Sequence, residues 1–325
     1  MTFYRDIASY LLAFVLAFNL APAMAQEPLR LRLGVGPSCV EEVMCLMKAR
    51  PDLTPGQGKD YLLDITPFRA GDIRFQAYVA GQIDGGTTSF STLMLSALKG
   101  IRTTTVAAIS KESNRTYSTS FLSLTEGGIN SAKDLKGKVI GIPGLRNTFE
   151  LIARAELSKI GLNPDRDVRL VVVPTQVMEQ ALRDQKISIG AFVQPFYANA
   201  IAGGGVKVLF NSINTLGLAE EFNIFFQPEF LKSHDRVIRS FLSDFVASTK
   251  YYIANTGKAR KALLASKMVE IPASVFIGMA NLEPVPDARP SPADWEKMQD
   301  WMFKLGFMDQ KVDINSMIDT SYLPN

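Results

Sequence analysis

The chain has 325 residues, of which 47% are hydrophobic, and its 35 basic and 32 acidic residues give a net charge of +3. This length is enough for two lobes with separate cores, and a mildly basic chain without a basic run argues against a nucleic-acid partner. One histidine, His234, and two cysteines, Cys39 and Cys45, are too few for a zinc site, so we expect neither a metal nor a cofactor.

Residues 1–25 have the features of a signal peptide. Arg5 precedes an apolar run over residues 10–20, and Ala23-Met24-Ala25 forms a cleavage site with small side chains at the two positions that the peptidase reads. The apolar run is shorter than the ~20 residues of a membrane span. We therefore expect cleavage after Ala25 and a periplasmic location for the mature protein.

An exported protein can form a disulfide, for which Cys39 and Cys45 are the two candidates. If both residues lay in one helix, they would be ~9 Å apart along its axis and on different faces, which is beyond bridging distance. A bridge becomes possible if Cys39 lies in the loop before the helix. The spacing therefore favours two unpaired thiols and leaves the disulfide as the alternative.

Strands and helices alternate along the first part of the mature chain. The predicted elements are strand 29–35, helix 40–49, strand 61–67, helix 73–80, strand 83–86, helix 91–99 and strand 104–110. We expect Thr87-Thr88-Ser89 to form a polar turn after the third strand. This alternation predicts a mostly parallel sheet with helices on both sides.

A second block of the same kind begins near residue 116. Its predicted elements are strand 120–124, a short helix and turn over 131–137, strand 138–142, a helix ending at 160, strand 169–173, helix 176–184, strand 187–193, helix 198–202 and strand 206–210. After Asn223 the chain is predicted to be mainly helical, with a helix that begins at Pro292 and is capped by Ser291. The predicted organisation is lobe 1 over 26–115, lobe 2 over 116–222, and a return to lobe 1 over 223–325.

The unit that begins at Lys138 has the pattern of a ligand-binding loop. A short strand ends at Pro143, Asn147 can cap the next helix, and Glu150 follows three residues later. Ligands of open α/β sheets bind at the carboxyl ends of strands, and free N–H groups at a helix start favour an anion. Arg146 adds a positive charge to this loop.

Segments 75–85 and 179–189 share a helix, a two-residue turn and a short buried strand. This internal similarity predicts two lobes of one topology with a cleft between them. The turns that follow strands should meet at that cleft, with Gln194 near the crossover between the lobes. The predicted ligand-binding residues are Ser38, Cys39, Thr87, Thr88, Ser89, Arg146, Asn147, Thr148 and Gln194.

Four segments resemble the periplasmic solute-binding proteins of ABC importers, of the nitrate, sulfonate and taurine type that also includes binders of thiamine-pyrimidine precursors. These segments are 77–85, 131–142, 157–168 and 194–196. The resemblance implies an α/β, two-lobed periplasmic-binding-protein-like fold of type II, with a mostly parallel sheet flanked by helices in each lobe and a ligand cleft between the lobes. Gln194 replaces the usual Glu before proline, and Ser188 replaces an Asp.

The resemblance predicts a monomeric, non-enzymatic receptor that delivers its ligand to an ABC permease. Arg146 at a helix start, the neutral Gln194 and the polar Thr87-Thr88-Ser89 indicate that this ligand is a small organic anion, sulfonate- or carboxylate-like. Arg146 is the residue that we expect to contact the anion. One histidine and two cysteines form no evident catalytic constellation. The alternatives are an enzyme of menaquinone or pyrimidine-precursor biosynthesis on the same fold, and a partner that presents its ligand to a membrane sensor.

Overall fold

The computed structural model describes residues 27–68, 71–219 and 221–325. The predicted signal peptide over 1–25 lies outside the described residues. Eleven strands form two sheets within the described part of the chain. The strands are β1 Leu29–Val35, β2 Tyr61–Pro67, β3 Gly85–Ser89, β4 Thr104–Lys111, β5 Ser120–Leu124, β6 Val139–Ile142, β7 Arg169–Val172, β8 Ile189–Phe192, β9 Val206–Asn211, β10 Glu221–Phe226 and β11 Glu283–Pro284.

Helices flank both sheets, and none that the structure describes is long and apolar enough to cross a membrane. The helices are α1 Glu42–Ala49, α2 Gly71–Val79, α3 Phe90–Leu98, α4 Thr148–Lys159, α5 Thr175–Arg183, α6 Phe196–Ala202, α7 Ser212–Leu216, α8 Pro228–Ser233, α9 Asp235–Ala254, α10 Thr256–Ala265, α11 Ala273–Gly278, α12 Pro292–Lys304 and α13 Ile314–Met317.

Apart from the extra edge strand β11 of sheet 1, the two sheets have the same topology. Sheet 1 has the order β11-β4-β10-β3-β1-β2, and sheet 2 has the order β9-β5-β8-β6-β7. In sheet 1 only β10 and the edge strand β11 run against the others, and in sheet 2 only β5 does. The predicted mostly parallel, two-lobed fold is therefore confirmed, with an antiparallel strand inserted into each sheet. We call the unit around sheet 1 lobe 1 and the unit around sheet 2 lobe 2; their residue boundaries stay a prediction.

One sequence prediction in lobe 1 is wrong, and one strand of this lobe was not predicted. Thr87, Thr88 and Ser89 are the second half of β3 rather than a turn, because they pair with β10 through Thr87–Ile224 and Thr88–Asn223. The sequence analysis also did not predict β10, which inserts between β3 and β4. After β10 the chain is mainly helical, as predicted. A strand buried on both faces lacks the alternation that marks a half-buried strand.

The chain passes between the sheets twice, from β4 to β5 and from β9 to β10, and these crossings are joined by hydrogen bonds. The buried carboxylate of Glu112 accepts one from the backbone N–H of Thr119 at 2.6 Å and another from the hydroxyl of Ser212. The N–H of Ser212 donates to the carbonyl of Thr119 at 2.9 Å. A rotation of one lobe against the other would therefore pivot here.

Helix α12 contacts both lobes. Trp295 is fully buried and its ring stacks on that of Phe90 in α3, with the centroids 5.6 Å apart. The indole Nε1 of Trp301 donates to the carbonyl of Leu216 at 2.8 Å, next to the second crossing. Helix α12 begins at Pro292 with Ser291 at the cap position, as predicted, but the Ser291 side chain accepts no capping hydrogen bond from the described residues.

Candidate functional site

A cavity of about 660 Å³ lies between the two lobes. Lobe 1 contributes the loop after β1, helix α2 and the end of β3, and lobe 2 contributes the loops after β6 and β8. These loops follow the carboxyl ends of parallel strands, which is where open α/β sheets bind ligands. The volume is in the range of small-molecule sites.

The helices that follow β3 and β6 begin next to each other across the cleft. The hydroxyl of Ser89 caps α3 by accepting from the N–H of Thr92 at 3.4 Å. The hydroxyls of Ser91 and Thr148, one from each lobe, share a hydrogen bond, and both residues are buried. Two helix N-termini at one cleft provide partial positive charge for an anion.

The predicted cap of α4 is confirmed. The side-chain oxygen of Asn147 accepts hydrogen bonds from the N–H groups of Phe149 at 3.1 Å and Glu150 at 3.2 Å. The Glu150 carboxylate accepts from the N–H of Arg146 at 2.6 Å and from Nε of Arg154 at 2.7 Å. Glu150 therefore fixes the loop before the helix instead of completing a capping box with Asn147.

Arg146 lines the cavity, but its guanidinium already has partners. Nη2 donates to the carbonyl of Phe307 at 2.8 Å, and Nη1 lies 3.4 Å from the carbonyl of Gly306. Its Cζ lies 5.4 Å from the centre of the Phe307 ring. The side chain thus connects the loop of lobe 2 to the segment that follows α12. Whether Arg146 also contacts a ligand stays a prediction.

A second arginine lines the cavity from lobe 1. Arg74 on α2 is only 6% exposed, and its Nη1 lies 3.6 Å from Oε1 of the buried Glu41. Burial lowers the pKa of the Arg74 guanidinium and the Glu41 carboxylate opposes this shift, but an arginine remains charged in such surroundings. The buried Nε and Nη1 of Arg74 have no hydrogen-bond partner among the described residues.

The first strand makes room for this pair. Gly34 in β1 lies under Arg74, where an added Cβ would come within 2.8 Å of Cγ of Arg74. The N–H of Gly36 donates to Oε2 of Glu41 at 2.9 Å. A side chain at Gly34 would displace the arginine, so this glycine is required by a close approach.

The rest of the lining is mainly apolar, with a few cationic groups. Among the described residues that line the cavity, Arg74, Lys99 and Arg146 are basic and Glu41 is acidic, so the lining carries a positive excess. The apolar residues come from both lobes: Pro37, Val40, Phe75, Val79, Ala80, Leu95, Ile101, Pro143, Leu145, Phe149, Val193, Phe222 and Leu282. The cavity therefore suits an organic molecule with a negative charge.

Gln194 lies at the junction of the lobes, as expected from its place near the crossover. Its side chain donates to the carbonyl of Ala280 and accepts from the N–H of Ala198 at 3.1 Å. Beside it, the buried hydroxyl of Tyr117 donates to the carbonyl of Phe192, and burial raises the pKa of this tyrosine. Gln194 is buried and lines the cavity, with both ends of its amide already paired.

The structure brings most predicted site residues to the cavity. Those that line it are Thr88, Ser89, Arg146, Asn147, Thr148 and Gln194. Thr87 is fully buried beside it, and its hydroxyl donates to Glu41. Ser38 and Cys39 are not among the lining residues, although their neighbours Pro37 and Val40 are. Ligand contact by any of these residues stays a prediction.

The preference for two unpaired thiols is wrong, because Cys39 and Cys45 form a disulfide with their Cα atoms 5.9 Å apart. The bridge is possible because Cys39 lies in the loop before α1 with φ at 53°, so the two residues do not share a helix. The sequence analysis allowed a bridge if Cys39 lay in the loop before the helix, and the structure meets this condition. The disulfide holds the loop whose residues Pro37 and Val40 line the cavity.

Sequence reasoning missed the pair of Arg74 and Glu41. A signal for Glu41 was present in Gly34-Val35-Gly36, where two glycines at the end of a strand indicate close approach by other groups. Nothing local in α2 distinguishes Arg74 from a solvated helix residue. Its burial depends on the packing of α2 over β1.

Residues 63–259 match the family model described as NMT1/THI5 like. This match covers more than half of the chain and decides the family. This chain belongs to the NMT1/THI5-like family. The predicted resemblance to solute-binding proteins is thereby confirmed at the level of family and fold. No curated protein matches the NMT1/THI5-like chain in sequence.

Solved structures share the fold of this NMT1/THI5-like protein at low sequence identity. The periplasmic aliphatic sulphonate binding protein SsuA from Escherichia coli has a TM-score of 0.70 at 19% identity, covering 90% of this chain and 97% of that one. The periplasmic nitrate-binding protein NrtA from Synechocystis PCC 6803 has a TM-score of 0.73 at 11% identity, covering 91% and 87%. The desulfurization enzyme DSZB has a TM-score of 0.65 at 12% identity, covering 91% and 97%. At these identities the likeness establishes the fold alone.

Proposed function

We propose that this protein is an extracytoplasmic solute-binding receptor that captures a small organic anion between its lobes and delivers it to an ABC permease. The observation that carries this proposal is the cavity between the lobes, with walls from both sheets and two chain crossings at one side. Closure of two lobes on a ligand requires this arrangement. The solute-binding proteins among the structures of the same fold support the proposal.

An anionic ligand is supported by the charges around the cavity. Three basic side chains and one acidic side chain line it within the described residues. The N-termini of α3 and α4 add partial positive charge from lobe 1 and lobe 2. A carboxylate or sulfonate would gain charge-assisted hydrogen bonds there.

Cysteine and histidine are side chains that often act as nucleophile or base in enzymes. Their positions in this protein favour a receptor without catalytic activity. Cys39 and Cys45 are joined to each other. His234 lies between α8 and α9, where its Nδ1 is 3.0 Å from the carbonyl of Phe230, and it does not line the cavity. The fold alone does not decide this point, because DSZB is an enzyme.

The proposed partner is the permease of an ABC importer, and the proposed state is a monomer in the periplasm. Residues 1–25 support export through their signal-peptide pattern. N-terminal sequencing of the secreted protein tests this part. A start at Gln26 or a near neighbour is the expected result, and a start elsewhere would contradict the signal assignment.

The receptor proposal is tested by thermal-shift and calorimetric screening of the mature protein. The panel contains sulfonates, carboxylates, nitrate and pyrimidines, with neutral and cationic solutes for comparison. A ligand that binds only the native state raises the melting temperature, and we expect this from organic anions without any chemical change in the ligand. Catalytic conversion of a bound compound would favour the enzyme alternative, and no stabilisation by any class of solute would contradict the proposal.

A further inference from the structure

The part of the cavity wall that lobe 1 forms contains hydrogen-bond donors of Arg74 that lack an acceptor among the described residues. The Nε and Nη1 atoms of Arg74 are buried, and neither has a hydrogen-bond partner within the part of the chain that the structure describes. The nearest carboxylate oxygen, Oε1 of Glu41, is 3.6 Å from Nη1, which is too long for a hydrogen bond. Buried donors of this kind are rare in native proteins because leaving them unpaired costs free energy.

Other hydrogen bonds hold the Glu41 carboxylate at this distance from Arg74. Its Oε2 accepts from the N–H of Gly36 at 2.9 Å, and its Oε1 accepts from the hydroxyl of Thr87. Glu41 is itself only 1% exposed, so these partners hold its carboxylate in place. The Arg74 guanidinium therefore keeps donors without an acceptor, while the Glu41 carboxylate partly balances its positive charge.

The unpaired donors belong to the same wall as the end of β3. Glu41 contacts both Arg74 and Thr87, and the next residue of β3, Thr88, lines the cavity with Arg74. Ser89 follows as the cap of α3. An acceptor group that reached Arg74 would thus meet hydroxyls and a helix N-terminus of the same lobe.

We propose that Arg74 is the residue that binds the negative group of the ligand, that Glu41 positions it, and that this group is a single carboxylate or sulfonate. The inference rests on the proposed receptor function and names its ligand class more closely. A planar guanidinium matches the two oxygens of such a group. A group with two negative charges is disfavoured because Glu41 already places one negative charge beside Arg74.

The test uses probes that share a phenyl ring and differ in charge. Benzoate and benzenesulfonate carry one negative charge, phenyl phosphate carries two at pH 8, benzamide is neutral and benzylamine is positive. Binding to the mature protein is measured by calorimetry at low chloride, because chloride competes for a cationic site. We expect the two single anions to bind at least roughly tenfold more tightly than the other three, since a hydrogen bond to a charged group discriminates by this amount or more.

The decisive variant is Arg74→Gln/Glu41→Gln, which removes both charges and leaves no buried charge unpaired. It should bind benzoate roughly 10- to 150-fold more weakly while its affinity for benzamide stays the same. Arg102→Gln is the matched control, because Arg102 is an exposed arginine of lobe 1 that pairs with Glu229 outside the cavity. It should bind all probes like the unmodified protein.

A second variant covers the case in which the double variant does not fold. Arg74→Lys keeps the charge and loses the planar pair of donors, so benzoate should bind roughly tenfold more weakly. Benzoate affinity that is unchanged in a folded Arg74 variant would overturn the inference. So would a loss confined to Arg146→Gln, or tightest binding of phenyl phosphate.

The probes also separate this inference from the receptor proposal. If neutral or cationic probes bind as well as benzoate, the protein is still a receptor, but the anion site at Arg74 is overturned. If none of the phenyl probes binds, the site is overturned as well. The wider solute screen then decides whether the receptor proposal stands.

Discussion

The guanidinium of Arg146 lies on Phe307, with its Nη2 donating to the Phe307 carbonyl at 2.8 Å and its Cζ 5.4 Å from the ring centre. Arg146 precedes α4 of lobe 2, and Phe307 follows α12, which packs on α3 of lobe 1 through Trp295 and Phe90. This contact joins the two lobes at the rim of the cavity. It gives Arg146 a structural partner besides any ligand.

The first prediction concerns this contact. Arg146→Gln removes the charged donor and the contact with the Phe307 ring, so a larger fraction of molecules without ligand should have separated lobes. The free energy of unfolding should fall by at most about 1 kcal/mol, because the side chain is exposed. Small-angle X-ray scattering should show a larger radius of gyration than for the unmodified protein. An unchanged radius would mean that the contact does not hold the lobes together.

The second prediction concerns the disulfide between Cys39 and Cys45. The bridge closes a short loop, and the loop-entropy relation gives a stabilisation of about 2 kcal/mol for such a loop. Reduction, or the change Cys39→Ala/Cys45→Ala, should therefore lower the melting temperature by several degrees. The reductant should have no further effect on the double variant. Equal melting temperatures of the oxidised and reduced protein would contradict this prediction.

The third prediction concerns Glu221 at the start of β10. Burial raises the pKa of this carboxyl from 4.5 to about 7, although the indole N–H of Trp295 donates to it at 3.1 Å. The folded protein therefore keeps the proton to a higher pH than the unfolded chain. Stability from this group is greatest below pH 4.5 and is lost as the pH rises to about 7, by about 3 kcal/mol.

Glu221→Gln tests that assignment, because the amide oxygen can still accept from Trp295 and no longer titrates. The variant should gain stability relative to the unmodified protein at pH 8 and show a smaller gain, or none, at pH 4.5. Denaturant titrations at both pH values give this difference directly. A difference in stability that does not change with pH would contradict the raised pKa of Glu221.

The fourth prediction concerns the space that Gly34 leaves for Arg74. A Cβ at this position would lie 2.8 Å from Cγ of Arg74 and 2.8 Å from Cδ1 of Ile83. Gly34→Ala should cost ~1–3 kcal/mol of folding stability and should weaken benzoate binding by displacing the guanidinium. Calorimetry and thermal unfolding measure the two effects.

Gly257→Ala is the matched control for Gly34→Ala. Gly257 lies in α10, and an added Cβ there would have no atom within 4 Å. This change should leave binding unchanged and stabilise the helix by up to ~1 kcal/mol. If both alanine variants behave alike, close packing at Gly34 does not position Arg74.

The sequence by itself determined the repeated strand–helix units, the cap at Asn147 and the class of fold. These features depend on residues that are near one another in the chain, such as Asn147 with Phe149 and Glu150. Hydrogen bonds over two or three residues can be read from residue type and spacing. The order of the family segments along the chain then indicated two lobes with a cleft between them.

Only the tertiary structure decided which charges face the cavity. Arg74 and Glu41 lie on different helices or loops and meet because α2 and the loop after β1 both pack at the carboxyl end of β1. Strand β10 likewise reaches the centre of sheet 1 only after the chain has passed through lobe 2. Contacts between residues that are distant in the chain depend on how whole elements pack, and neither hydrophobic periodicity nor a capping pattern contains that information.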